Sequence, residues 1–128
     1  MIVYDETVLG IAKREKITAV RKRTVDLLMS YSYGDSPAYS FPLSENRIAE
    51  LSQLTQNRGL WTTLGKYPFY VIDESGAPME VASEQALANF GDALAEFIFN
   101  AKNGGGSLIY QVGQCTTVEQ VEAIVDSR

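Results

Sequence analysis

The chain has 128 residues, a formal net charge of −5 and no histidine, so it has room for one modest core and none for a His-dependent catalytic triad or an ordinary His-bearing metal site. Hydrophobic residues make up 45% and charged residues 21%, the usage of a globular protein and not of a disordered or fibrous one. The lone Cys115 leaves no intramolecular disulfide, no apolar run approaches the roughly 20 residues of a membrane helix, and MIVYDETVLG lacks the basic start and apolar core of a secretory signal, so synthesis in the cytoplasm is expected.

Residues 6–31 favour a first helix, with no proline and only Gly10 to weaken it. Ile17, Val20, Thr24, Leu27 and Leu28 follow the spacing of one helical face. Before Ile17 the stripe fails: its earlier positions hold Lys13 and Gly10, while Val8 and Ile11 fall on roughly the opposite side. The first two turns are therefore expected to leave the domain or to need a partner. Residues 1–16 read as a projecting segment, and residues 17–128 as a single compact domain.

In SYSYGDSPAYSFPLS, residues 34–37 read as a turn and residues 38–41 as a short extended piece. Ser44 is a good N-cap, with Glu45 in the first turn and Ile48, Leu51 and Leu54 on one face of a helix over residues 45–58 that Gly59 would end. Tyr67, Phe69 and Val71 then alternate with Pro68, Tyr70 and Ile72. After the turn-rich DESGAP, residues 79–81 can return as a partner strand, and Pro68 marks an edge.

Ser83 caps a third helix with the stripe Leu87, Phe90, Leu94, Phe97, Ile98 and Ala101, which Asn103 and the three following glycines are expected to stop. Residues 107–112 fit helix or strand by periodicity alone. Thr116 with Glu119 reads as a capping box for a last helix in TVEQVEAIVDS. The pattern predicts an α+β fold, mainly helical, with about four to five helices and one small antiparallel β-hairpin.

Few motifs point to chemistry. NGGGS lacks the preceding strand and the Lys-Ser/Thr of a phosphate loop, so it reads as a helix stop. Cys115 has no basic sequence neighbour and reads as a small core residue. Asp73 and Glu74 are adjacent on a hairpin turn, where they are expected to point apart and stay solvated, unlike a catalytic pair. Trp61, Tyr67, Phe69 and Tyr70 read as core or interface aromatics more readily than as a stacking platform. No catalytic residue, cofactor site or metal site is named, and a non-enzymatic protein is expected.

KREKITAVRKR places six basic side chains in residues 13–23. Projected on a helix they surround it, whereas a groove-binding helix gathers them on one face. Residues 30–128 hold five basic against twelve acidic side chains, a field that repels phosphate. A docking helix for an acidic protein surface, including that of another copy, is the better reading, with a nucleic-acid-binding module as the alternative. Candidate partner-binding residues are Ile2, Val3, Tyr4, Val8, Ile11, Lys13, Arg14 and Arg21.

FPLSENRIAELSQL, LWTTLGKYPFYVIDESGAPMEVASEQALANFGDALAEFIF and TTVEQVEAIVD, in that order behind a charged helix, give the chain a resemblance to an uncharacterised bacteriophage domain. That domain occurs in tail-fibre and tail-fibre-assembly proteins. The matching positions are Ser44, Ile48, Trp61, Leu87, Phe97, Thr117 and Ile124, and the resemblance covers roughly residues 17–127. It implies a Ser-capped helix, a Trp-containing hairpin, a long helix and a Thr-Glu capped end. It also implies a virion tail component or an assembly chaperone absent from the particle, made in the host cytoplasm. The partners implied are other tail or fibre proteins, or further copies of the chain.

Overall fold

A computed structural model describes residues 7–128; Ile2, Val3 and Tyr4 lie outside that range. The elements are α1 (Val8–Met29), β1 (Ser32–Tyr33), β2 (Tyr39–Ser40), α2 (Glu45–Gln56), α3 (Arg58–Thr63), β3 (Phe69–Ile72), β4 (Pro78–Val81), α4 (Glu84–Gln114) and α5 (Val118–Ala123). The fold is α+β and mainly helical. Each pair of strands is antiparallel, β1 with β2 and β3 with β4. Contacts gather into two compact units, Leu27–Phe99 and a second made of residues up to 26 together with Asn100–Arg128, where the sequence pattern suggested one domain behind a projecting segment.

In the unit of residues 27–99, Ser44 and Ser83 act as the N-caps the sequence predicts. Their hydroxyl oxygens accept from Arg47 N at 3.1 Å and Ala86 N at 3.1 Å. The first half of α4 buries Leu87, Phe90 and Leu94, and Leu28, Tyr31, Phe41, Leu43, Leu51, Val71, Met79 and Val81 are buried with them. Phe90 is central, with Tyr33 edge-on at 4.9 Å and Phe41 at 5.5 Å between ring centroids. Gly91 lets α2 approach α4: a Cβ there would stand 2.9 Å from that of Thr55.

Helix two is shorter than its pattern. It ends at Gln56, Asn57 caps it, and Gly59 lies inside a separate six-residue helix, α3. The left-handed stop falls at Gly65, φ +65°. Gly65 N donates to Thr62 O at 3.1 Å and Lys66 N to Trp61 O at 2.9 Å, the paired bonds of a Schellman ending. Trp61 belongs to α3, and its indole N–H donates to Leu54 O of α2 at 3.0 Å.

The carboxylate of Asp73 is buried, against the expectation of a solvated pair, whereas Glu74 is exposed. It accepts from Ser75 N and Oγ, Ala77 N and Ser40 N at 2.7–3.0 Å, so it fixes the β3–β4 turn and ties it to β2. These donors, Ser75 Oγ foremost, hold its pKa below the usual carboxylate value.

In the other unit α4 continues through Gly104, Gly105 and Gly106 to Gln114, so the glycines are not a helix stop. The Arg128 side chain lies over them, with Cδ only 3.1 Å from where a Gly104 Cβ would stand, and a Cβ on Gly105 would collide with Thr24 Oγ1. Arg128 Nη1 donates to Thr24 Oγ1 at 2.8 Å and Ala101 O at 2.9 Å, and Nη2 to Val20 O at 3.0 Å. The missing side chains make room for this clasp, which offsets the poor helix propensity of glycine. The last helix is capped one residue later than its sequence suggests. Thr117 Oγ1 accepts from Gln120 N at 3.2 Å, and the Gln120 side chain returns to Thr116 N.

Candidate interaction site

α1 carries the candidate contact residues, and its two faces differ in use. The inner face has a small apolar cluster: Val112, Cys115 and Val121 are buried, with Leu9, Ala12, Ile17 and Ile124 packed against them. Leu9 and Ala12 therefore belong to the unit's interior even though they precede Ile17. The apparent break in the stripe falls at Gly10, which is buried, and at Lys13, which like Lys16 takes an inner position between apolar residues. The stems of the two lysines cover the cluster while their ammonium groups reach out of it.

Each ammonium meets the carbonyl end of a helix. Lys13 Nζ donates to Gly113 O at 3.2 Å in the last turn of α4, and Lys16 Nζ to Ile124 O at 2.9 Å at the end of α5. Those carbonyls lack intrahelical donors and carry the negative pole of the helix dipole, so a cation is favourable there. Arg23 Nε donates to Arg128 O at 2.9 Å, and Lys22 pairs with Asp26 at 3.2 Å. Much of the basic stretch thus has intramolecular work.

The outer face is different. Val8 is 73% exposed and Val25 57%, Ile11 is exposed, and Arg14 and Arg21 are exposed as well. The structure therefore places Val8 and Ile11 together on one side of α1 and turns Lys13 to the other. Asp126 and Arg128 pair at 2.7 Å, and Arg128 holds the Asp126 carboxyl below its ordinary pKa. This pair was not legible in advance, because nothing local marks Arg128 as the partner of a helix about 100 residues away.

Among the described residues no three or more His, Cys, Asp or Glu side chains are placed to hold a metal ion. No described helix is long and apolar enough to cross a membrane. Cys115 is buried, with Sγ donating to Gln111 O at 3.4 Å. No protein-family model, curated protein or solved structure matches the chain.

Proposed function

We propose that the chain is a non-enzymatic structural or interaction protein of a bacteriophage tail or tail fibre, docking on a neighbouring subunit through its N-terminal segment. The observation that carries the docking is the outer face of α1. Val8 and Ile11 are exposed there while the inner face is occupied by α4 and α5, and the apolar residues Ile2, Val3 and Tyr4 lie just ahead of them in the sequence. Apolar side chains left in water beside a β-prone segment are the composition of a contact surface. The tail assignment comes from the sequence resemblance.

The nucleic-acid reading loses support from the same helix. Lys13, Lys16 and Arg23 are bound to carbonyl oxygens of their own unit, so fewer cations are available to neutralise phosphates. The pair Val8→Glu with Ile11→Glu tests the proposal, since both sites are exposed and the fold is expected to survive. Association with the neighbouring subunit should be lost with an unchanged circular dichroism spectrum, and unchanged association would contradict the reading. Mass spectrometry of purified particles separates its two forms: stoichiometric presence marks a subunit, and absence an assembly chaperone.

A further inference from the structure

A pocket of about 260 Å³ lies in the unit of residues 27–99, where the β1–β2 hairpin, β4 and α4 come together. Tyr33 and Tyr39, directly opposite each other across the hairpin, form one wall, and Phe90 backs Tyr33 edge-on at 4.9 Å. The turn that joins the two tyrosines needs Gly34, whose φ is +88° and where a Cβ would stand 2.8 Å from Pro37 O. Asn89, whose Oδ1 accepts from Gln85 Nε2 at 2.9 Å, and Glu80 are the remaining polar side chains of the lining.

Glu80 brings unpaired acceptors to this wall. Phe69 faces Val81, Val71 faces Met79 and Asp73 N donates to Ala77 O at 2.9 Å. Bonded pairs recur every second residue in an antiparallel ladder, so Glu80 falls between them and turns its N–H and C=O away from β3. Neither its carbonyl nor its exposed carboxylate has a partner among the described residues, and no basic side chain lines the pocket. Tyrosine rings beside unpaired anionic and carbonyl oxygens select a cation on an apolar stem. A planar guanidinium suits them best, since it stacks on a ring while it donates to oxygen.

Charge identifies where that guanidinium comes from. Residues 27–99 hold nine acidic against three basic side chains, whereas α1 holds six basic against two acidic, so two copies present complementary fields. Within α1, Lys13, Lys16 and Arg23 sit on carbonyl oxygens, Lys22 pairs with Asp26, and Arg14 is engaged as well. Arg21 alone of the six has no partner among the described residues. It is exposed in the stripe Ile11, Arg14, Thr18, Arg21 and Val25, all exposed, whose spacings of three and four keep them on one helix face.

We propose that this pocket receives the Arg21 side chain of a second copy, so that α1 of one chain docks on the acidic unit of the next. The inference rests on the docking of α1 proposed above and names its partner and its receptor. Each copy then offers one inserting group and one pocket, a head-to-tail contact.

Sedimentation of the full chain over a concentration series tests the inference. Arg21→Glu and Glu80→Arg, both at exposed positions, should each weaken association about tenfold or more with an unchanged circular dichroism spectrum. Combined in one chain, the two reversals should restore it, because the pair re-forms with its signs exchanged. Ala86→Leu, which fills the pocket without changing charge, should weaken association too. Added N-acetyl-arginine amide should compete with it, and the neutral citrulline analogue should not.

If the single reversals weaken association and the combined variant stays weak, the two side chains do not meet and the assignment is overturned. Unchanged association in both reversals and in Ala86→Leu overturns the pocket. Loss in Val8→Glu with Ile11→Glu would then leave α1 docking standing, and no loss there would sink both. A chain that stays monomeric through the whole series overturns the second-copy assignment.

Discussion

At the scale of single residues, Asp73 and Tyr31 make opposite statements about buried polar groups. Asp73 has four donors from three residues, and its pKa is lowered from 3.8. A carboxyl with a lowered folded pKa contributes stability that is fully present above its unfolded pKa and is lost as pH falls through the folded one. Melting curves should therefore show a loss below about pH 4 that Asp73→Asn largely removes, with Asp73→Asn melting lower than the unaltered chain at pH 7. A melting temperature in Asp73→Asn equal to that of the unaltered chain at pH 7 would refute the assigned role.

The Tyr31 hydroxyl, in contrast, is buried without a hydrogen-bond partner among the described residues, while its ring packs on Phe97 at 4.7 Å. Tyr31→Phe keeps the ring contact and removes the unpaired group, so it should stabilise by up to about 1 kcal/mol in denaturant unfolding. Burial, with Tyr33 adding to it, pushes the Tyr31 pKa up to about 12. The folded state then holds its proton through a range where the unfolded chain releases it, so the stability fully present below pH 10 falls as pH rises from about 10 to 12. That alkaline loss should shrink in Tyr31→Phe.

Among the elements, the glycine run shows what a sequence pattern cannot separate. Three glycines after a helical stripe carry the same signal whether they end a helix or let a side chain cross it, and only Arg128 and Thr24, distant in sequence, decide between the two. Gly105→Ala should destabilise by about 1–3 kcal/mol, because its Cβ meets Thr24 Oγ1 and overpacking outweighs the gain in helix propensity. Among the described residues nothing lies within 4 Å of a Cβ added at Gly106, so Gly106→Ala should stabilise by about 0.5–1 kcal/mol. Thermal melts of the two variants should move in opposite directions.

The same limit explains the other displaced boundaries. Gly59 and Gly65 are alike in sequence, but only Gly65 takes the left-handed conformation. Thr116 and Thr117 are both good caps, and the position of Gln120 selects the second. Caps at Ser44 and Ser83, the Leu87–Phe90–Leu94 stripe and the β3–β4 hairpin were legible because each is a local pattern. Lys13 and Gly10 hid the inner face of α1, because a lysine reads as solvated until a helix end appears above it and a glycine adds nothing to an apolar stripe.

For the whole molecule, the two units meet different demands. The unit of residues 27–99 is organised around Phe90. The other unit is held by apolar contacts of α1, α4 and α5 and by Lys13 and Lys16 placed on helix carbonyl ends, with Arg23 on Arg128 O. The outer face of α1 leaves Val8 and Ile11 exposed. The site was legible in the sequence only as an uncovered apolar face, since no single position reveals which side of α1 its neighbours cover.

The docking proposed for the N-terminal segment predicts that residues 1–6 are needed for association and not for folding. Sedimentation of the full chain and of a chain lacking residues 1–6, each over a concentration series and each with a thermal melt, tests it most directly. The truncated chain should melt as the full chain does and remain a monomer at concentrations where the full chain associates. Equal association by both, or a truncated chain that no longer folds, would contradict it.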